Sequence, residues 1–430
     1  METIKKNYHW IITAVILLEL GIYLGLHNNI TSLYIIPITE SLGITRGSAS
    51  LAYSARNLFS FLSTLFSGIL FTKFGYRKLA SLALLVIAGA YGLLGSSQTL
   101  FTMCLACSIM GFCDGFCSIS SASRMVNTWF HTHQGLILGL VTAATGFGGS
   151  LFSIILSGQI EASGWRSGYY LSAILVAVTA VILFAVVRNH PADMGLLPYG
   201  SGNHHGKKPK KETRDHWYGY EPKDVYRKPT FYLTIFVVFM VSFCVYAAYQ
   251  VIVPHLQDCG MNATEAAAVQ SILLLGLAGG KLVCGLLSDH LGAKFTAVLC
   301  ILCTIAGIIM LTLVDGYTIA IVASIIFSIG LVFVTVPIPL LSSALFGYHP
   351  QGSIMGIFMA LPYAASMASM PIVNSIYDRI GSYNPIFWVV AAMCAGTLAL
   401  TVLLFVMADR DRKKYESVHP EPKVLEEADA

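Results

Sequence analysis

Five charged side chains interrupt long apolar stretches of this sequence: Glu19, Arg56, Asp114, Arg124 and Lys281. A charge at bilayer depth is expensive and normally faces a partner or a wet cavity. The three bases can bind an anion there, and the two acids can exchange a proton, because a carboxyl group in a low-dielectric site is more easily protonated. The alternative is that the acids neutralise bases in structural ion pairs. If both acids pair with bases, one of the three bases is still available to the substrate, and we expect that base to be Lys281.

Lys281 lies deep in an apolar run, within the stretch 276–294, GLAGGKLVCGLLSDHLGAK. Small residues let helices approach closely, so Lys281 is expected on or beside a tightly packed seam. The flanking glycines are Gly276, Gly279, Gly280 and Gly285. One interpretation of Lys281 is an electrostatic anchor for an anionic substrate, and the other is an ion pair with Glu19 or Asp114.

Arg124 and Arg56 each have two interpretations as well. Arg124 precedes Trp129 by five residues, so it either snorkels to the cytoplasmic interface, with Trp129 in the aromatic belt, or contacts the substrate anion. Arg56 lies too deep in its apolar run for easy snorkelling. It either faces a cavity or pairs with Glu19 or Asp114.

Polar residues near these charges can complete a site. His27 follows Glu19 by eight residues on a similar helix face, where it either relays protons or lines the cavity as a hydrogen-bonded group. The candidate proton-coupling residues are therefore Glu19, Asp114 and His27. The candidate substrate-binding residues are the three bases and the polar side chains Tyr23, Asn57, Tyr246, Gln250 and Tyr363.

The composition predicts that membrane-spanning helices carry these residues. Of the 430 residues, 56% are hydrophobic and 11% charged, and the mean hydropathy is +0.70. A soluble domain carries about 25% charged residues, and a spanning helix needs about 20 apolar residues. The chain has candidate spans at 10–37, 46–72, 78–96, 100–129, 134–161, 166–188, 230–256, 265–288, 294–314, 317–345, 352–377 and 384–407. We expect an all-α membrane protein with twelve transmembrane helices.

The distribution of basic residues predicts the orientation of these helices. Of the 26 lysines and arginines, twenty fall in segments on the same side as the N-terminus, and Arg46, Arg166 and Arg379 fall on the other side. The positive-inside rule then places both termini in the cytoplasm of a multi-pass plasma-membrane protein. The first apolar run is long enough to span the membrane, so we expect a retained helix rather than a cleaved signal peptide.

The two halves of the chain repeat with an offset of 217 residues. Pairs of residues in four separate loops or helix ends share this register: Pro37/Pro254, Gly43/Gly260, Gly75/Gly292, Gln134/Gln351, Glu161/Asp378 and Gly164/Gly381. Both halves begin and end on the same side, so the repeat is parallel, and substrate sites of such proteins lie near the midplane between the repeats. We expect an N-terminal six-helix half at 1–189, a cytoplasmic linker at 190–229, a C-terminal six-helix half at 230–408 and a tail at 409–430 that is disordered from Arg410.

The loops after the second and eighth spans carry a family motif. They read 68-GILFTKFGYR-77 and 285-GLLSDHLGAK-294. Each resembles the GxLxDRxGxR signature of the major facilitator superfamily, although Thr72 and Lys73 replace the Asp-Arg pair in the first copy. The resemblance implies the fold of that superfamily over the whole chain. It also implies that these loops are conformational latches, with Gly68, Gly75, Arg77, Gly285, Asp289 and Gly292 as gating residues.

A narrower resemblance concerns residues 127–149, NTWFHTHQGLILGLVTAATGFGG, and the Gly-Trp-Arg at 164–166. They are similar to the monocarboxylate and oxalate–formate transporter group, in which a basic residue precedes the loop aspartate of the eighth helix by eight positions. Lys281 stands eight positions before Asp289. The basic residue at this position is usually arginine in that group. This sequence therefore keeps the charge but not the bidentate contact, because arginine binds carboxylate bidentately whereas lysine is a compact point charge. The eleventh helix lacks the lysine of the oxalate transporters, which argues against a dicarboxylate site of that type.

These features favour a secondary carrier that moves a small organic anion, such as a monocarboxylate, by alternating access with proton symport or anion exchange. An exporter of lipophilic or cationic compounds and a non-transporting membrane sensor remain alternatives. We find no nucleophile–base set and no metal-ligand cluster, so we expect neither an enzyme nor a cofactor. The expected partners are the substrate, protons and the lipid bilayer, without nucleic acid, and we expect the protein to function as a monomer. Pro337 and Pro339 are expected to break the tenth helix, and Pro362 and Pro371 the eleventh, so that both helices bend during gating.

Overall fold

Helices form nearly all of the described chain in the computed structural model, which describes residues 8–27, 29–130, 134–200, 219–347 and 351–418. The first crossing consists of α1 (Tyr8–His27), a 3-10 turn (Thr31–Tyr34) and α2 (Ile35–Leu42). The rest of the N-terminal half contains α3 (Arg46–Phe74), α4 (Tyr76–Gly95), α5 (Leu100–Asp114), α6 (Ile119–Trp129), α7 (Gln134–Ser163) and α8 (Trp165–Val186). A 3-10 turn (Pro191–Met194) and the short α9 (Pro222–Val225) lie in the segment predicted to be the linker.

The C-terminal half has the same order of elements. It contains α10 (Pro229–Tyr249), α11 (Ile252–Asp258), α12 (Ala263–Leu291), α13 (Ala293–Thr312), α14 (Tyr317–Leu331), a 3-10 turn (Val332–Val334), α15 (Pro337–Phe346), α16 (Gln351–Ile380) and α17 (Asn384–Val418). Ten helical stretches of the described chain are long and apolar enough to cross a membrane. The more polar α3 and the pair α5–α6 make the other two crossings, so the prediction of an all-α, twelve-crossing membrane protein is confirmed.

The helix boundaries repeat with the predicted offset of 217 residues. Four helix pairs match at both ends: α3 with α12, α4 with α13, α5 with α14, and α7 with α16. The glycines that end helices also match, with φ of 73° at Gly75 and 88° at Gly292, and of 79° at Gly164 and 75° at Gly381. A residue with a Cβ is strained at such angles, which explains why both copies carry glycine. The finer domain limits at 189, 229 and 408 stay predictions.

Four crossings are broken near their middle. The sequence predicts continuous spans for three of them, whereas a break is expected in the tenth from Pro337 and Pro339, and α15 begins at Pro337. The breaks follow α1, α5, α10 and α14, so they fall in the first, fourth, seventh and tenth crossings. A break frees backbone groups inside the membrane, and these groups need a protein partner or a wet cavity. One residue at each break lines the same central cavity, namely Asn29, Ser118, Gln250 and Thr335.

The prediction that Pro362 and Pro371 break the eleventh helix is wrong. Both lie inside α16, which is helical from Gln351 to Ile380. Pro371 has no N–H to donate to the carbonyl of Met367 four residues earlier. Ser54 Oγ on α3 donates to that carbonyl at 2.8 Å instead. A neighbouring helix therefore satisfies a group that the proline leaves free.

The tail prediction also needs correction, because α17 continues to Val418. Residues 410–418 are therefore helical rather than disordered. Asp409 precedes Lys413 by four residues, a spacing at which opposite charges stabilise an exposed helix. Residues 419–430 lie outside the described chain.

The two halves contact each other most extensively through two helix pairs, α3 with α16 and α7 with α12. Small residues form the α7–α12 seam. Ser150 and Ser271 share a 2.6 Å hydrogen bond, and a Cβ on Gly146 would lie 2.7 Å from the backbone oxygen of Leu274. Such close approach is typical of helix packing in membranes. Lipid tails are as apolar as the helices, so helices associate through close packing and hydrogen bonds rather than through the hydrophobic effect.

Candidate functional site

A central cavity of about 150 Å³ lies between the two halves. It brings together six of the predicted substrate-site residues from α3, α10, α12 and α16 and the α10 break: Arg56, Asn57, Tyr246, Gln250, Lys281 and Tyr363. Its remaining polar lining consists of Asn29, Thr64, Ser118, Thr145, Tyr249, Thr335 and Ser366. Arg56 and Lys281 are the charged residues among those that line it, so the described wall of the cavity is cationic.

Lys281 is buried, and its ammonium group reaches across to the N-terminal half. Nζ donates to Thr145 Oγ1 at 3.0 Å and to the Thr142 backbone oxygen at 3.3 Å, both on α7. It makes no ion pair with Glu19 or Asp114. An ammonium has three donors, and both hydrogen bonds that the structure shows for it go to neutral oxygens of α7.

Arg56 is also buried and makes no ion pair with either acid. Its Nη1 donates to the backbone oxygen of His27 at 2.7 Å and to Thr31 Oγ1 at 3.4 Å. The His27 carbonyl is available because α1 ends at this residue. The break in the first crossing therefore anchors one edge of the guanidinium.

A chain of neutral side chains crosses the cavity wall between the halves. Asn57 Nδ2 on α3 donates to Ser366 Oγ on α16 at 2.9 Å, and Gln250 Nε2 donates to the same oxygen at 2.5 Å. Ser369 Oγ donates to Gln250 Oε1 at 3.3 Å. These hydrogen bonds fix the two amide side chains that face the cavity.

The sequence analysis missed a second polar cluster, at the break of the first crossing. The backbone oxygen of Asn29 accepts hydrogen bonds from Tyr249 Oη at 3.1 Å and from Gln270 Nε2. Asn29 Nδ2 donates to the Thr145 backbone oxygen at 2.8 Å, and Ser32 Oγ donates to Gln270 Oε1 at 3.0 Å. Asparagine after an apolar run was the available signal, but the helix break that exposes its carbonyl has no clear sequence pattern.

The predicted proton-coupling residues lie behind the cavity wall, inside the N-terminal half. Tyr23 Oη donates to Asp114 Oδ1 at 2.7 Å, and His27 Nε2 lies 3.8 Å from the same oxygen. Tyr76 Oη donates to Glu19 Oε2. None of these residues is among those that line the central cavity. The structure therefore places Tyr23, predicted as cavity lining, beside Asp114 instead.

Arg124 lies on α6 and is not among the cavity-lining residues. Its side chain is exposed, and its guanidinium carbon lies 5.6 Å from the centre of the Phe71 ring. Trp129 is fully buried, and its Nε1 donates to the Arg188 backbone oxygen at 3.2 Å. The placement of Trp129 in an aromatic belt is therefore wrong, because this indole is enclosed by protein.

The predicted gating residues occupy equivalent loops in the two halves. Gly68 lies within α3 and Gly285 within α12, while Gly75 and Gly292 end these helices. Arg77 Nε donates to the Phe184 backbone oxygen at 2.7 Å, which ties the first loop to α8. The Asp289 side chain lies outside the described part of the structure.

The opposite face, predicted to be extracellular and called here the outer face, carries a charged contact between the halves. Arg46 at the start of α3 donates from both terminal nitrogens to Asp258 at the end of α11, at 2.8 and 2.9 Å. Asp378 near the end of α16 accepts from the backbone nitrogens of Arg46 and Gly47 at 3.2 and 2.8 Å. A carboxylate at a helix N-terminus is stabilised by free N–H groups, so both acids hold α3 against the C-terminal half.

A bundle of two parallel six-helix repeats with a polar cavity between them has the architecture of a secondary transporter. The chain belongs to the Major Facilitator Superfamily, whose family model matches residues 13–361. It is similar in fold to the nucleoside transporter NupG, with a TM-score of 0.72 at 12% identity, over 93% of this chain and 99% of that one.

Two curated relatives cover most of this chain. The oxalate:formate antiporter of Oxalobacter formigenes is 23% identical over 405 residues, which is 92% of this chain and 91% of the antiporter. The membrane sensor protein UhpC of Salmonella typhimurium is 25% identical over 378 residues, which is 83% of this chain and 82% of UhpC. The family therefore includes both an exchanger of organic anions and a sensor among the relatives of this chain.

Proposed function

We propose that the protein is a secondary carrier that moves a small organic anion by alternating access, as proton symport or as anion exchange. The observation that carries this proposal is the pair of buried bases in the central cavity, Arg56 from the N-terminal half and Lys281 from the C-terminal half. Two buried positive charges without an acid partner are electrostatically unfavourable. An anion that enters the cavity relieves this cost and bridges the two halves.

The size and chemistry of the cavity support a small substrate with one carboxylate. Its volume of about 150 Å³ is below the range of roughly 300–1,000 Å³ that is common for drug-sized ligands. Lysine offers a point charge rather than a bidentate fork. The α16 residues in the wall are Met359, Pro362, Tyr363 and Ser366, which carry no charge.

The register of the repeat suggests how the anion passes along the cavity. Lys281 corresponds to Thr64 in the first half, eight residues further along α3 than Arg56. Eight helical residues rise about 12 Å, so the two bases lie at different depths. In the proposed cycle the anion contacts Arg56 nearer the outer face and Lys281 nearer the opposite face.

Substrate binding can be coupled to movement of the halves through Lys281. Its ammonium group holds α12 to α7 through Thr145 and Thr142. A carboxylate that accepts a hydrogen bond from Nζ competes with these oxygens, because charge-assisted hydrogen bonds are stronger than neutral ones. Binding therefore weakens one contact between the halves and favours their rearrangement.

Two other functions compete with the proposal. The first, suggested by the similarity to UhpC, is a sensor that binds a ligand without moving it. An exporter of lipophilic or cationic compounds is disfavoured, because the described charges in the wall are positive.

The test is uptake of radiolabelled compounds into proteoliposomes that contain the purified protein. The panel contains a monocarboxylate series, a dicarboxylate and an organic cation, each measured with and without a pH gradient and with and without internal unlabelled anion. The proposal predicts saturable monocarboxylate uptake that depends on the gradient for symport or on internal anion for exchange. Cation transport alone supports the exporter. Anion binding without uptake in any condition supports the sensor, and either result overturns the carrier proposal.

A further inference from the structure

A second, smaller cavity lies inside the N-terminal half, next to the central one. It measures about 10 Å³, and Arg56 lines both cavities. We call this space the Arg56 chamber. Its other polar walls are His27, Thr31, the tyrosines Tyr34, Tyr53, Tyr91 and Tyr169, and Ser172, all of which are buried. A space of roughly 10–15 Å³ accommodates the centre of one water molecule.

Several polar atoms of the residues around this chamber have no hydrogen-bond partner among the described residues. They are Arg56 Nε, Tyr34 Oη, Tyr91 Oη and both ring nitrogens of His27, of which Nε2 lies 3.8 Å from Asp114 Oδ1. By contrast, Tyr53 Oη and Tyr169 Oη pair with each other at 2.9 Å. Buried polar groups in proteins are nearly always satisfied. Several unsatisfied groups around one water-sized space therefore point to a ligand that binds them together.

The chemistry of these atoms identifies the ligand as water rather than an anion. Arg56 Nε can only donate, Tyr91 Oη can donate or accept, and a neutral His27 ring has one donor and one acceptor nitrogen. An anion would accept from the donors but leave the imidazole acceptor unpaired. Water both donates and accepts, and buried waters typically make about three hydrogen bonds.

We infer that the Arg56 chamber binds one ordered water molecule, and that this water, held by Tyr91, fixes the Arg56 guanidinium in its orientation towards the central cavity. The His27 carbonyl and Thr31 already hold the Nη1 edge of the guanidinium. The water supplies a contact at Nε, so that the plane of the guanidinium cannot rotate freely. Tyr91 is therefore a positioning residue, and this part of the inference rests on the proposed role of Arg56 in anion binding.

The first experiment concerns the water itself and does not depend on transport. A high-resolution structure of the native protein is expected to show one density peak within hydrogen-bond distance of Arg56 Nε and Tyr91 Oη. The peak should disappear in Tyr91→Phe. The same structure determined in bromide tests for an anion. An empty chamber, or an anomalous bromide signal in it, overturns the water site.

The second experiment measures how Tyr91 acts. Loss of one hydrogen bond of ordinary strength corresponds to about a fivefold change in affinity, so Tyr91→Phe should raise the KM for anion uptake about fivefold with little change in kcat. In an Arg56→Gln background the same substitution should have no further effect on KM. Tyr169→Phe is the matched control, because its hydroxyl is paired with Tyr53 and not with Arg56.

The outcomes separate this inference from the proposed function. An equal effect of Tyr91→Phe in both backgrounds, or an equal effect of Tyr169→Phe, means that Tyr91 is merely structural and overturns the positioning role. If the native protein moves no organic anion, the proposed function fails and the positioning role fails with it. The water site is then still confirmed or refuted by the density.

Discussion

Lys281 on α12 donates a 3.0 Å hydrogen bond to Thr145 on α7, across the boundary between the two halves. The only other acceptor of its ammonium group among the described residues is the Thr142 backbone oxygen, also on α7. A buried charge held by neutral oxygens is less well stabilised than one paired with a carboxylate. The contact is therefore suited to being replaced by an anionic ligand.

Thr145→Val is expected to increase anion affinity. The substitution removes one of the two acceptors with which the ligand competes, and a hydrogen bond to a charged group contributes about 1.5–3 kcal/mol. We expect the Kd of the transported anion to fall at least severalfold, as measured by counterflow or by ligand-induced thermal stabilisation. Thr142→Val is the control, because Thr142 contributes only its backbone oxygen. If the two variants bind the anion equally, α7 and the ligand do not compete for the ammonium group of Lys281.

The contact between Arg46 and Asp258 is expected to keep the outer face closed. It is bidentate, and Arg46 also stacks on Tyr377 with 4.1 Å between the guanidinium carbon and the ring centre. We expect Arg46→Gln to open the outer face. A membrane-impermeant thiol reagent should then label a cysteine introduced at Ser157 more strongly, measured in a Cys259→Ser background. The double exchange Arg46→Asp with Asp258→Arg should restore protection in part.

A matched control for this prediction is Arg166→Gln. Arg166 also lies towards the outer face, but its hydrogen bonds go to Ser41 and Ser97 within its own half. Equal labelling of Arg46→Gln and the native protein contradicts the role of this contact as a closure between halves.

Proton coupling, if present, should depend on Glu19 or Asp114 and not on the cavity bases. Each acid has one carboxylate oxygen without a hydrogen-bond partner among the described residues. Glu19→Gln or Asp114→Asn should abolish substrate-driven alkalinisation of the medium outside loaded vesicles while anion exchange continues. Glu161→Gln, at the outer face, is the control. Coupling that survives in both variants shows that the proton sites are misassigned.

Gly292→Ala should destabilise the protein through backbone strain alone. Its φ is 88°, and a Cβ at this position would meet no atom within 4 Å. With a ψ of 157° Gly292 lies in an extended, positive-φ region that is almost exclusive to glycine, where a residue with a Cβ is strained by on the order of 1–3 kcal/mol, so the thermal midpoint should fall measurably. Gly279→Ala is the control, since it lies inside α12 with similar open space, where alanine favours the helix. A midpoint for Gly292→Ala at or above that of Gly279→Ala is inconsistent with the strain argument.

Much of the fold was predictable because its signals are periodic and local. Long apolar runs determine the spans, and glycines such as Gly75 and Gly292 recur because a positive φ excludes other residues at both positions. The breaks at Asn29 and Gln250 were not predictable. They depend on distant partners, such as Tyr249 and Ser366, that satisfy the freed or exposed polar groups.

The candidate site was predictable in its charges but not in its partners. A buried lysine must face something polar, and Lys281 does line the cavity. Tyr23 and Arg124 show the limit of this reasoning. Each is polar and lies in an apolar run, but which way a side chain faces depends on helix rotation and on neighbours such as Asp114, which come from another part of the chain.

The central claim is that Lys281 binds the transported anion, and a comparison of two lysine variants tests it most directly. Lys294→Ala removes a positive charge at the start of α13 that is paired with Asp409 on α17, whereas Lys281→Ala removes the one in the cavity. Loss of one partner of a buried charge pair costs about 2–5 kcal/mol, which corresponds to roughly 30-fold or more in affinity. We predict that counterflow of labelled monocarboxylate falls by at least this factor in Lys281→Ala and is nearly native in Lys294→Ala. Native counterflow in Lys281→Ala contradicts the claim.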